Sequence, residues 1–195
     1  MRNIMEYLQT EVIEASVEFR LIPLTQGKFA IVDVADYERL ACYKWYAHKK
    51  VTCYYAERRE KGEIVLMHHV ILDVPAGMVC DHKNHNGLDN RRSNLRVCTP
   101  TQNMQNSRPR EGGTSRYKGV YWNSRKRKWH AAIGHNRRLI HIGYFDYEQD
   151  AAIAYDDRAI ELFGEFACLN LQCRPEIRLW IEQTYFFDPL GNGNW

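Results

Sequence analysis

The stretch "CDHKNHNGLDNRRSNLRVCTPTQNMQN" (80–106) gathers residue types that do chemistry. Asp81 and His82 are adjacent, and Asn103 lies further on in the same stretch. Hydrolysis of a phosphodiester needs a base that takes a proton from water. It also needs a hard cation that stabilises charge on the phosphorane and the leaving oxygen. His82 titrates near neutrality and can supply the base. Asp81 and the side-chain oxygen of Asn103 are donors suited to a cation such as Mg²⁺, with waters and phosphate completing the shell. Adjacent side chains on a regular strand point to opposite faces. Asp81 and His82 therefore share a site only if the strand ends or bulges there. An Asp-His pair alone is more often a surface turn; the complete pattern is what carries the chemical reading.

The elements that must position these groups are legible around them. "GMVCDH" reads as a strand ending at Asp81-His82, and Asn86-Gly87 is a two-residue turn signal. "NLRVC" (94–98) reads as a second strand. "TPTQNMQN" then opens a helix, with Thr99 as N-cap, Pro100 at the first helical position and Gln102 three residues after the cap. Upstream, residues 16–33 read as two strands around Thr25-Gln26-Gly27. "ADYERLACYKW" reads as a short helix capped by Asp33 or Asp36, with Tyr37, Leu40 and Ala41 on one face. "KWYAHKK" and "VTCYYAER" read as strands, and "KGEIVLMHHVIL" as a strand or a strand passing into a helix. Residues 1–66 are thus expected to form a small α+β body.

"NSRPREGGTS" has Pro109, two glycines and no large apolar residue, so residues 108–115 are expected to be a linker. After it, Val120-Tyr121-Trp122, Trp129 to Ile133 and Leu139 to Ile142 read as three antiparallel strands. Asn123-Ser124 and Gly134-His135-Asn136 supply the turns. "DYEQDAAIAYDDRAIELFG" reads as a helix. Asp146 is its expected N-cap, Gln149 completes a capping box, Ala152, Tyr155, Ala159 and Leu162 form its stripe, and Gly164 is its C-cap. The tail 171–195 adds one expected helix at "PEIRLWIEQT", with Pro175 first.

Composition bounds the function classes. The 195 residues, 45% apolar and 26% charged, suit one large or two small soluble domains. No run of 18 apolar residues suggests a membrane helix. The acidic start "MRNIMEYLQTEVIEASVEF" is a poor signal peptide, which points to the cytoplasm. No two of the six cysteines (42, 53, 80, 98, 168, 173) form a CxxC pair, so neither structural zinc nor a disulfide framework is expected. The net charge is +3, yet residues 107–144 hold ten Lys and Arg against one Glu. That segment carries about +9 and the remainder about −6, the asymmetry of a polyanion-binding module on a more acidic body.

"DHKNHNGLDNRRSNLRVCTPTQNMQN", within 67–107, resembles the HNH nuclease motif, the ββα-metal fold of phage and homing endonucleases. The resemblance implies His82 as general base and Asp81 and Asn103 as metal ligands. It implies Asn94 as the residue pinning the loop. Of "LMHHVIL", it assigns His68 a supporting role, with a structural histidine as the alternative. The last motif position is often His; Asn103 in its place favours a hard cation, Mg²⁺ or Mn²⁺, over zinc. His85 reads either as a phosphate contact or as a solvated loop residue.

Residues 116–170 resemble the ethylene-response-factor type (AP-two) DNA-binding domain through "YKGV", "WHAAI", "IGYF", "AAIAYDDRAIELFG" and "LN". The resemblance implies a sheet lying in the major groove of double-stranded DNA, a geometry that a β-ribbon fits. Lys118, Tyr121, Asn123, Arg125, Lys126, Arg127, Lys128, Arg137, Arg138 and His141 are its expected DNA-binding residues. Tyr121, Asn123 and His141 stand where plant members carry Arg or Trp, so the plant target sequence is not transferred. The whole reads as an α+β protein: an N-terminal body, an HNH unit, then a three-stranded sheet with one helix. The expected activity is metal-dependent, homing-type DNA cleavage by a monomer or homodimer without membrane attachment, in a bacterial host's cytoplasm if phage-encoded. The rival readings are a DNA-binding regulator with a decayed nuclease unit and a nucleic-acid-packaging protein.

Overall fold

The computed structural model describes residues 18–50, 53–109 and 112–173. The chain divides into two units, one ending at Asn106 and the other beginning at Ser107. The helix expected at 175–184 lies outside the described residues.

In the first unit, β1 (Phe19–Pro23) and β2 (Phe29–Asp33) pair antiparallel around a 3-10 turn at Thr25–Gly27. Helix α1 (Val34–Ala41) buries Leu40 and Asp36; Ala41, expected on its inner face, is exposed. Strands β3 (Tyr46–Lys49), β4 (Tyr54–Glu60) and β5 (Glu63–Leu66) form a second sheet. The chain then passes directly into α2 (Met67–Ile71). Ile22, Val32, Leu40, Trp45, Met67 and Leu95 pack one core. The Trp45 indole N–H, which burial obliges to find an acceptor, donates to Leu40 O at 2.8 Å.

Strands β6 (Val79–His82) and β7 (Leu95–Cys98) pair antiparallel, and α3 (Pro100–Gln105) follows and packs on β6. Thr99 and Gln102 form the reciprocal capping box read from the sequence. The Asn86-Gly87 signal does not make a two-residue hairpin: the connection runs from 83 to 94. Gly87 is required there for closeness, since a Cβ would lie 2.5 Å from Tyr54 O and 2.7 Å from the Tyr55 ring.

In the second unit, β8 (Val120–Asn123), β9 (Lys128–His135) and β10 (Arg138–Phe145) form an antiparallel sheet of order β10-β9-β8, with α4 (Glu148–Phe163) on one face. The β9–β10 turn is Asn136-Arg137, both at positive φ, the backbone that a tight two-residue hairpin needs. Asp146 does not cap α4. Tyr147 holds the N-cap position without a side-chain capping hydrogen bond, and Asp146 pairs with Lys128 Nζ at 3.1 Å. Thr114 and Ser115, expected in the linker, are bonded into this unit through Trp122 N and Glu148. Asp156, fully buried, accepts from the N–H groups of Asn170 and Leu171 at the start of α5 (Asn170–Cys173). Asn170 in turn brackets the backbone of Lys118 from both sides, donating to its O and accepting from its N.

Among the described residues no helix is long and apolar enough to cross a membrane. Gly119 is the tightest point: it sits at φ +71°, and a Cβ would lie 2.1 Å from the Tyr155 ring. Gly119→Ala is expected to destabilise the second unit by about 3 kcal/mol through overpacking and backbone strain. Denaturant unfolding of the full chain checks this; an unchanged midpoint would contradict the packing.

Candidate active site

The site is built on the end of β6. The register is regular through Asp81↔Arg96 and His82↔Leu95, so the strand ends at His82 without a bulge. Asp81 and His82 are both buried and take different surroundings.

Asp81 faces β7 and α3. Its Oδ2 accepts from Arg96 Nε and Nη2 at 2.9 and 2.8 Å. Asn106 Nδ2 donates to both carboxylate oxygens at 3.0 Å and to the His82 carbonyl at 3.2 Å. Asn106, not Asn103, is therefore the α3 asparagine in contact with Asp81. Asn103 lies three residues earlier, is exposed, and makes no side-chain hydrogen bond among the described residues.

His82 faces the body. Its ring meets Tyr55 and His68 edge-on, with centroids 5.7 and 5.0 Å away. Nε2 lies 3.4 Å from Asn90 Oδ1. Burial lowers the His82 pKa, opposed by the Asn90 contact and the nearby carboxylates of Asp81 and Asp89. The imidazole is thus neutral at pH 7. His68 is buried against it, with Nδ1 lacking a partner among the described residues. Burial first, then His82, His69 and Lys50, push its pKa down to about 3.

The 83–94 connection is held along its length. Asn94 Oδ1 accepts from Asn84 N at 3.0 Å, and its Nδ2 donates to Asp89 O at 2.7 Å. Asp89 accepts from Arg91 and from Asn84 Nδ2. Burial alone would raise the Asp89 pKa, but Arg91 and Asn84 outweigh it and hold the carboxyl below its ordinary range. Backbone bonds from Ile31 N to Leu88 O and from Asn90 N to Ile31 O fasten the loop to β2. Arg92 reaches α1, donating to Asp36 at 2.8 and 2.9 Å. His85, at positive φ, contacts the Asn106 carbonyl through Nε2.

Asp81 Oδ1 accepts from Asn106 and keeps lone-pair capacity for a hard cation. Asn103 is exposed on α3, and no hydrogen bond joins it to Asp81 among the described residues. Among the described residues no three His, Cys, Asp or Glu side chains cluster as a metal cage. Burial, with Asp81 and Cys98 nearby, pushes the Cys80 thiol up to about 12. A carboxylate oxygen is a donor that Mg²⁺ or Mn²⁺ takes, with water and phosphate able to fill other positions.

In the second unit, the sheet face away from α4 carries Tyr121, His130, His141 and Tyr144 in mutual ring contact, and Lys126 lies 3.8 Å over Tyr144. Arg125, Arg127, Arg137 and Arg138 are exposed on the two hairpins. Asn123 Oδ1 accepts from Lys126 N and shapes the first turn. Lys128 is engaged by Asp146, and Lys118 Nζ donates to Ser107 O.

Four residues of the site are absent from the sequence-based expectation: Asn106, Arg96, Asn90 and Tyr55. Arg96 had a readable signal, since pairing 79–82 with 95–98 sets it opposite Asp81. Tyr55 had none.

A family model described as HNH endonuclease matches residues 73–105. Over 164 residues the chain is 33% identical to "Uncharacterized HNH endonuclease L560" of Acanthamoeba polyphaga mimivirus, covering 82% of this chain and 83% of that protein. It is 29% identical over 94 residues to "Protein 3.8" of Escherichia phage T7, covering 48% of this chain and 77% of that one. No solved structure matches.

Histidines with lowered folded-state pKa make the first unit acid-sensitive. Below about pH 6.5 the unfolded chain binds protons that His68 and His82 refuse when folded, so stability falls with pH. The variant His68→Phe keeps a ring and removes one such group. Its Tm is expected to fall less than the wild type's between pH 7 and pH 5 in calorimetry; equal falls would count against this origin.

Proposed function

The chain belongs to the HNH endonucleases, and from that premise we propose that it hydrolyses DNA phosphodiester bonds with His82 as general base. Asp81 and Asn103 are the proposed ligands of a divalent cation, Mg²⁺ or Mn²⁺. The observation that carries this reading is a buried imidazole held neutral next in sequence to a carboxylate that faces α3. Donating Nε2–H to Asn90 Oδ1 leaves the His82 Nδ1 lone pair to take the proton of the attacking water. When bound, the cation supplies charge stabilisation for the leaving oxygen. Asn94 holds the loop, and His68 with Tyr55 fixes the imidazole plane. The strand–loop–strand–helix order of β6, β7 and α3 supports a ββα-metal unit.

The second unit is proposed as an AP-two-like anchor on double-stranded DNA. Support comes from the exposed Arg125, Arg127, Arg137 and Arg138 and from the ring-lined outer sheet face with Tyr121 and His141. Phosphates are the expected partners of the arginines, with one or two reaching guanine edges. A homing-type role in a phage-infected cytoplasm fits the viral relatives. One centre per chain nicks a single strand; a homodimer would cut both.

His82→Ala is expected to lower the plasmid-nicking rate by about 10²- to 10⁴-fold while binding duplex DNA normally in gel shifts, and EDTA is expected to stop the wild type. Full activity of the variant would sink the base assignment, and DNA binding without any metal-dependent cleavage would favour the decayed regulator. Replacing Arg125, Arg137 and Arg138 by Ala is expected to flatten the log–log salt dependence of binding by about 0.9 in slope for each phosphate the variant no longer neutralises. An unchanged slope would refute the anchor.

A further inference from the structure

Asn106 touches the main chain of His82 as well as the side chain of Asp81, and it does so from a buried position. Its amide orientation is fixed by chemistry. Nδ2 faces three acceptors: the two Asp81 oxygens and the His82 carbonyl. A flipped amide would set Oδ1 against all three, depriving each of this donor. Asn106 therefore turns its donor towards Asp81 and offers no oxygen there for a cation.

The residue is itself fixed. It is the C-cap of α3, with its N–H bonded back to Gln102 O and Met104 O, and the helix start is locked by the Thr99–Gln102 box. Its own carbonyl is engaged by His85. Arg96 closes on the Oδ2 side with two donors, while Asn106 reaches both oxygens. That asymmetry sets the carboxylate's orientation and turns Oδ1 away from the guanidinium.

We infer that Asn106 is the positioning residue of the nuclease centre, clamping the Asp81 carboxylate and the His82 main chain to the end of α3. This rests on the reading of Asp81 and His82 as that centre's working groups. It divides the labour on one helix: Asn103, exposed, is the proposed ligand, and Asn106, one turn on, orients the other ligand. Without the Asn106 amide the carboxylate is free to swing towards Arg96, and the cation is deprived of a preset oxygen.

The test uses the full-length chain as wild type, Asn106→Ala and Asn106→Leu. Mn²⁺ binding is measured by calorimetry without DNA, plasmid nicking across a Mn²⁺ titration, and folding by circular dichroism and thermal unfolding. Leu refills the side-chain volume and carries the test if the Ala variant does not fold. The folded variant is expected to bind Mn²⁺ about 10- to 100-fold more weakly, to need correspondingly more Mn²⁺ for nicking, and to bind DNA in EDTA as the wild type does. A folded variant with lowered Tm but wild-type Mn²⁺ affinity and nicking would make Asn106 merely structural and overturn the clamp. A wild-type protein that neither binds Mn²⁺ nor nicks would instead overturn the assignment of Asp81 and His82, and the clamp with it.

Discussion

A polar loop packs against a protein body only if its amides and carboxylates find partners there. The connection from 83 to 94 meets that constraint, and the site depends on it. Its backbone joins β2 through Ile31, and its buried Asp89 is answered by Arg91 and Asn84. Arg92 spans to Asp36 on α1, where burial would raise the carboxyl's pKa but Arg92 and Arg39 hold it down. Each carboxylate is buried while its arginine reaches solvent, so the pairing holds the loop in place and solvent screens part of its strength. Loop, helix and hairpin are thus energetically one piece.

With the loop fixed, β6 can present two different environments at its end. On one side His82 is pressed among Tyr55, His68 and Asn90, where burial favours the neutral imidazole. On the other, Asp81 is held by Arg96 and Asn106. Alternation along the strand gives the two side chains different surroundings, as the proposed roles of base and ligand require. Among the described residues the Nδ1 of His68 has no partner, the cost of filling the first pocket with imidazoles.

The second unit uses the same physics for a different end. Buried Asp156 organises the backbone of Asn170 and Leu171, and Asn170 grips Lys118, so the segment leading into β8 is tied to the start of α5. The small residues Ala131, Ala151, Ala152 and Ala159 let α4 lie close to the sheet. That packing uses one sheet face and leaves the other to Tyr121, His130, His141 and Tyr144.

The sequence by itself determined most of the element order. Period-2 strands, the Thr99–Pro100–Gln102 cap and the Gly164 stop are local signals set by residues within a few positions of each other, and the structure follows them. Asp81, His82 and Asn94 were legible as candidates for the same reason, since they lie in one short stretch. Local reasoning failed where a distant partner decided. Gly87 reads as a turn residue, yet Tyr54 and Tyr55 require its missing side chain. Asp146 reads as a cap, yet Lys128 takes it. Above all, only the tertiary structure distinguished Asn103 from Asn106. Both are polar residues at the end of one short helix, and which is buried depends on where α3 crosses β6. No spacing within the helix encodes that.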